Sequence, residues 1–110
     1  MPTAYKVLGR IASAATTLEE LYAVPSSTSA VVSTLVVCNR SSSARTYRIA
    51  IKPTTGTTLA DEHYIAYDVA IAANDTTALT LGIAINAGDK LDVYSSDTNV
   101  SFSAFGTEIS

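Results

Sequence analysis

Val31-Val32-Ser33-Thr34-Leu35-Val36-Val37-Cys38 decides the fold. Val31, Ser33, Leu35 and Val37 alternate with Val32, Thr34, Val36 and Cys38, and both sets lean apolar. A β-branched run of this kind fits a central strand. The next segment is half-wet by the same period. Tyr47, Ile49 and Ile51 alternate with Thr46, Arg48, Ala50 and Lys52, the pattern of a strand with one face on a core and one in water.

Working outward, the theme repeats in Ile65, Tyr67, Val69 and Ile71, then in Leu79 and Leu81, Leu91 and Val93, and Val100 and Phe102. Turn residues separate the runs: 25–29, 39–43, 53–56, Asn74-Asp75, 86–89 and 95–99. Asn, Asp, Ser, Pro and Gly close turns by local hydrogen bonds, fixed φ or tolerance of positive φ. Strands are expected at about 5–11, 19–24, 30–39, 45–52, 63–71, 76–82, 90–95 and 100–108. Short strands at this spacing predict an all-β, antiparallel β-sandwich of about seven or eight strands, jelly-roll or immunoglobulin-like. A single domain is expected over 1–110, with 1–20 as an extended N-terminal arm or edge strand. Thr17-x-x-Glu20 has the form of a helix capping box. Val24-Pro25 ends that segment within two turns, so an extended 20–24 is the favoured reading. Phe102 and Phe105 fall on opposite faces of a regular strand, and a bulge near Gly106 would return both to the core.

Composition bounds the function. The 110 residues are 47% apolar and 15% charged, with a net charge of −3. That is too apolar for disorder. Ser and Thr, about a quarter of the chain, keep the surface wet without strong fields. Lys6, Arg10, Arg40, Arg45, Arg48, Lys52 and Lys90 are scattered, whereas a nucleic-acid partner calls for cations gathered on one face. Cys38 is the sole cysteine, so an internal disulfide is excluded and a small packed side chain is expected. The start Met1-Pro2-Thr3-Ala4-Tyr5-Lys6 does not read as a signal peptide, and no run has the length of a bilayer span. Synthesis in a cytoplasm is expected, with no membrane partner.

Reactive constellations are missing. His63, in Asp61-Glu62-His63-Tyr64, has no second His or clustered Cys to complete a metal site. No Ser sits in a Gly-x-Ser-x-Gly elbow. Asp68, Asp89, Asp92 and Asp97 are carboxylates by type but lie mostly in or beside turns. Asp89, Asp92 and Asp97 would be the residues to hold calcium, yet their spacing is not that of an EF-hand. Asn39-Arg40-Ser41, Asn74-Asp75-Thr76 and Asn99-Val100-Ser101 match the glycosylation pattern, as chance predicts in so Ser/Thr-rich a chain. No enzyme activity, cofactor or metal is expected. Tyr5, Tyr22, Tyr64 and Tyr67 are the candidate interface residues, because a phenol joins a large apolar ring to a wet end. Tyr64 and Tyr67 fall on opposite faces of a regular strand, so one of them should point outward.

Residues 21–28 (LYAVPSST) and 32–40 (VSTLVVCNR) resemble small β-sandwich proteins encoded among the structural genes of tailed bacteriophages, marine and cyanobacterial ones included. His63-Tyr64-Ile65-Ala66-Tyr67-Asp68, Leu79-Thr80-Leu81-Gly82-Ile83, Gly88-Asp89-Lys90-Leu91-Asp92-Val93-Tyr94 and Phe102-x-x-Phe105-Gly106 continue the resemblance over 5–110. It implies an accessory virion protein, assembled in the host cytoplasm. The leading form is a capsid decoration (cement) protein, a homo-oligomer such as a trimer, whose partners are the major capsid or tail protein. The alternatives are a tail, baseplate or fibre component, or a carbohydrate-binding β-sandwich module. The resemblance carries over no catalytic residue.

Overall fold

A computed structural model describes residues 3–12, 14–53 and 59–110. Its strands are Thr3–Ala12 (β1), Glu19–Ala23 (β2), Ser29–Asn39 (β3), Arg45–Lys52 (β4), Tyr64–Ile71 (β5), Thr76–Ile85 (β6), Lys90–Ser95 (β7) and Val100–Ile109 (β8). Each expected strand is present, and 19–23 is extended rather than helical. Residues 54–56 of the expected turn lie outside the described residues.

The strands form two four-stranded antiparallel sheets, in the orders β1-β8-β3-β6 (sheet A) and β2-β7-β4-β5 (sheet B). This order settles the topology as a jelly roll. Strands 1–4 pair in reverse with strands 8–5, as 1/8, 2/7, 3/6 and 4/5, so the chain is one long hairpin rolled into a sandwich. Only the β4–β5 connection stays within a sheet. The sequence periodicity marks each strand but carries no information on which sheet a strand joins. β1 is an edge strand of sheet A.

The core lies between the sheets. Leu35, Val37, Phe102 and Ala104 from sheet A face Tyr47, Ile49, Leu91 and Val93 from sheet B, all of them buried. Tyr47 and Phe102 meet edge to face across the gap, with centroids 6.4 Å apart, a favoured aromatic geometry. β8 alternates strictly, with Val100, Phe102, Ala104 and Gly106 inward and Phe105 outward and half-buried. The bulge expected near Gly106 is thus not in β8. It lies in both neighbours instead, at Leu8 of β1 and Ser33 of β3. Phe105 therefore stays outside the core. Cys38 is half-buried on the outer side of β3, paired with Ser101 and Thr76, rather than packed inside.

Tyr22 fastens one end of the sandwich. Its hydroxyl donates to Glu108 Oε2 at 2.5 Å, and Glu108 Oε1 accepts from Lys6 Nζ at 3.2 Å. Strands β2, β8 and β1 are joined by this chain of groups. Burial, then the Glu108 carboxylate, pushes the Tyr22 phenol up. The donated hydrogen bond and Lys6 hold Glu108 below the usual carboxylate range.

Candidate interaction surfaces

The two outer faces of the sandwich are chemically opposite. On sheet A the pairing register aligns four outward rows across β1, β8, β3 and β6. They are Tyr5-Thr107-Val31-Ala84, Val7-Phe105-Thr34-Thr80, Arg10-Ser103-Val36-Ala78 and Ala12-Ser101-Cys38-Thr76. Arg10, on the edge strand, is the one charged residue in these rows. Apart from Phe105 and the edge Arg10, the two central rows carry small or β-branched side chains, so most of the face is flat as well as neutral. Tyr5 stands at its margin, 84% exposed. A neutral face of this breadth is what a protein interface core requires, because charges are costly to desolvate there.

Sheet B turns charges outward. Glu20, Asp92 and Ala50 align in one row with Tyr64, and Tyr94 aligns with Arg48 in the next, with Lys90 and Lys52 paired beyond Asp92. Asp92 is buried under this layer. Burial raises its pKa above the ordinary carboxylate value, with Glu20 adding to that and Lys52 and Lys90 opposing it. Between the unfolded and folded values the folded chain binds more protons than the unfolded chain. Stability therefore falls as pH rises through that window. Asp92→Asn is expected to raise the melting temperature at pH 7 by a few degrees and to flatten the pH dependence above pH ~4. Thermal unfolding of both proteins between pH 4 and 7 checks this, and an Asn variant that melts lower at pH 7 would refute it.

The outer side of β5 holds a compact aromatic group. The Arg48 guanidinium lies between the rings of Tyr67 and Tyr94, 4.2 and 4.3 Å from their centroids. It also grips Asp68, with Nε–Oδ1 at 2.6 Å and Nη2–Oδ2 at 3.2 Å. This fork-on-carboxylate pairing lowers the Asp68 pKa and raises that of Arg48. Asp68 reaches Arg48 because its backbone is left-handed, at φ 51°, where β5 shifts register against β4. A second shift, between the Ile49–Ala66 and Ala50–Tyr64 pairs, corrects the expectation for the tyrosines. A regular strand would separate Tyr64 from Tyr67, but here they touch edge to face at 4.9 Å and 89°. Both line one open pocket of about 470 Å³ with Asp61.

The remaining candidates have structural posts. His63 belongs to a 3-10 turn (Asp61–His63), not a strand, and its Nδ1 accepts the Ala60 N–H at 2.9 Å. Tyr22 is buried in the core and is not part of either outer face. Asp97 pairs with Arg45 at 3.4 Å, and Asp89 Oδ2 accepts the Asn86 N–H at 3.1 Å. Among the described residues no three His, Cys, Asp or Glu side chains gather as a metal site, and no helix is long and apolar enough to cross a membrane. Asn39 is buried with its amide consumed inside the protein, which removes it as a glycan acceptor. The Arg48 group was missed by sequence reasoning, because its members are brought together by a bulge that leaves no composition signal.

No protein-family model matches the chain, and no curated protein matches it. Among solved structures, a chain in the structure of infectious bursal disease virus, Gx strain, is similar in fold with a TM-score of 0.56 at 15% identity. The match covers 97% of this chain and 31% of that one, so the protein spans about a third of the length of its structural neighbour and shares with it the rolled β-sandwich.

Proposed function

We propose that this protein is a non-enzymatic structural component of a virus particle. The specific form proposed is a capsid decoration protein of a tailed phage, acting as a homo-oligomer bound to the major capsid protein. The observation that carries the reading is the outer face of sheet A, four neutral rows with a single edge charge. Particle proteins repeat one contact many times, and a flat neutral face allows copies to crowd without self-repulsion. The fold shared with a chain of a virus structure supports the same reading, as does the resemblance to phage structural proteins. Placement in a tail, baseplate or fibre uses the same face and differs only in the partner.

A charge in the middle of that face tests the reading. Val36→Glu and Ala78→Glu lie side by side in one outward row and leave the core untouched. Each is expected to weaken self-association and binding to particles lacking the protein by tenfold or more, since burying an unpaired carboxylate costs more than about 1.4 kcal/mol. Light scattering and co-sedimentation with particles measure both. Wild-type protein that stays monomeric and leaves particles unbound would overturn the proposal.

A further inference from the structure

The pocket on the outer side of β5 lies on the opposite sheet from the neutral face, and its chemistry is different. We propose that it binds a neutral pyranose sugar, with Tyr67 and Tyr64 as the stacking walls and Asp61 as the hydrogen-bond acceptor. The inference goes beyond the structural role, which does not require it.

The geometry supplies the shape. Two phenol rings at 89° and 4.9 Å make an aromatic corner in a pocket of about 470 Å³, within the range of small-ligand sites. Tyr67 is 56% exposed, so its ring has surface to offer. A pyranose has an apolar C–H face and a rim of hydroxyls, which suits a corner with a ring on one side and polar groups at the lip. Asp61 is exposed, and its carboxylate makes no hydrogen bond or ion pair with another described residue. Its carboxylate is available to accept from two hydroxyls, the charge-assisted kind of bond that is strongest.

Charge selects the ligand class. Arg48 is committed to Asp68 in a two-bond fork, and no other cation lines the pocket among the described residues. Phosphates and carboxylates therefore meet Asp61, of like sign, and a neutral polyol avoids that conflict. The Arg48 clamp between Tyr67 and Tyr94 also holds the platform still before a ligand arrives, which lowers the ordering cost of binding. The left-handed backbone at Asp68 that builds the clamp is the type of local strain that gathers at binding sites.

The test uses the folded full chain, biotinylated and tetramerised on streptavidin, on an array of neutral bacterial, plant and animal oligosaccharides. The strongest array glycan is then titrated in free form against ¹⁵N-labelled protein. Capture is expected, with shifts centred on 61–68. Tyr67→Ala and Asp61→Asn are each expected to weaken binding at least tenfold with an unchanged melting temperature, whereas Tyr5→Ala, on the other sheet, binds as wild type. An array with no captured glycan overturns the proposal. So does Asp61→Asn or a folded Tyr67→Ala that binds like wild type. Particle binding through sheet A is measured separately, and these variants should leave it unchanged.

Discussion

Asn39→Ala is expected to cost about 3 kcal/mol, lowering the melting temperature by more than about 10 °C. Asn39 ends β3 and is 1% exposed. Its Nδ2 donates to the carbonyls of Ser43 (3.0 Å), Ile71 (3.3 Å) and Ala72 (3.0 Å), and its Oδ1 accepts the Ser41 N–H at 2.9 Å. One side chain thus closes the β3–β4 turn and binds it to the β5–β6 turn. The backbone repeats the link, with Asn39 N–H to Asp75 O at 2.9 Å and Asn74 N–H to Ser41 O at 3.0 Å. Alanine removes the donors and strands carbonyls where water has little access, and each buried polar group left unpaired costs about 1–3 kcal/mol. Asn39→Asp should be worse at neutral pH, since it keeps the acceptor for Ser41 but turns negative oxygens toward three carbonyls. Protonating that carboxylate near pH 4 should recover part of the loss. Urea unfolding, read at constant m, measures both variants. A cost below about 0.5 kcal/mol for Asn39→Ala, within the range of ordinary surface substitutions, would count against the lock.

That residue also shows where sequence reading stops. Asn39 reads correctly as the start of a turn, because Asn favours turns for local reasons. Its more important partners, Ile71 and Ala72, are 32 and 33 positions away, and no local pattern announces them. The strands themselves were legible because period-two alternation is a local consequence of the pleat. β6 runs past its expected end at 82 for the complementary reason. Gly82, at that expected end, takes φ +62° at a register irregularity and lets the strand continue to Ile85. Strand order, bulge positions and the neutrality of one whole face depend on which strands lie side by side. The residues of the sheet A rows come from four separate runs. Their lack of charge becomes visible only when β1, β8, β3 and β6 are set in register. The Arg48 group has the same origin, since Tyr67, Asp68 and Tyr94 meet Arg48 only across β5–β4–β7.

Gly106→Ala is expected to destabilise the fold by about 3 kcal/mol or more, while Gly82→Ala costs only about 1 kcal/mol. The contrast separates two reasons for glycine. A Cβ added at Gly82 meets nothing within 4 Å, so the penalty there is the positive φ alone. A Cβ added at Gly106 runs into the Val31 carbonyl oxygen and lies 3.1 Å from Leu8 Cδ1. Gly106 sits in β8 between β1 and β3, where both neighbours bulge, at Leu8 and at Ser33. The Ser33 hydroxyl bonds the Phe105 carbonyl at 3.1 Å, pinning the bulge beside the glycine. Neither strand has room to move: β3 is held by β6 on its far side, and Leu8 is buried in the core. Making space for one methyl means shifting a carbonyl out of a ladder, and overpacking a tight interior costs about 1–3 kcal/mol even without that loss. Thermal and urea unfolding of the two alanine variants provide the comparison, with soluble yield as the readout if Gly106→Ala does not fold. Equal stabilities would show that sheet A yields at its centre, and the rigid neutral face inferred for particle contacts would lose its physical basis.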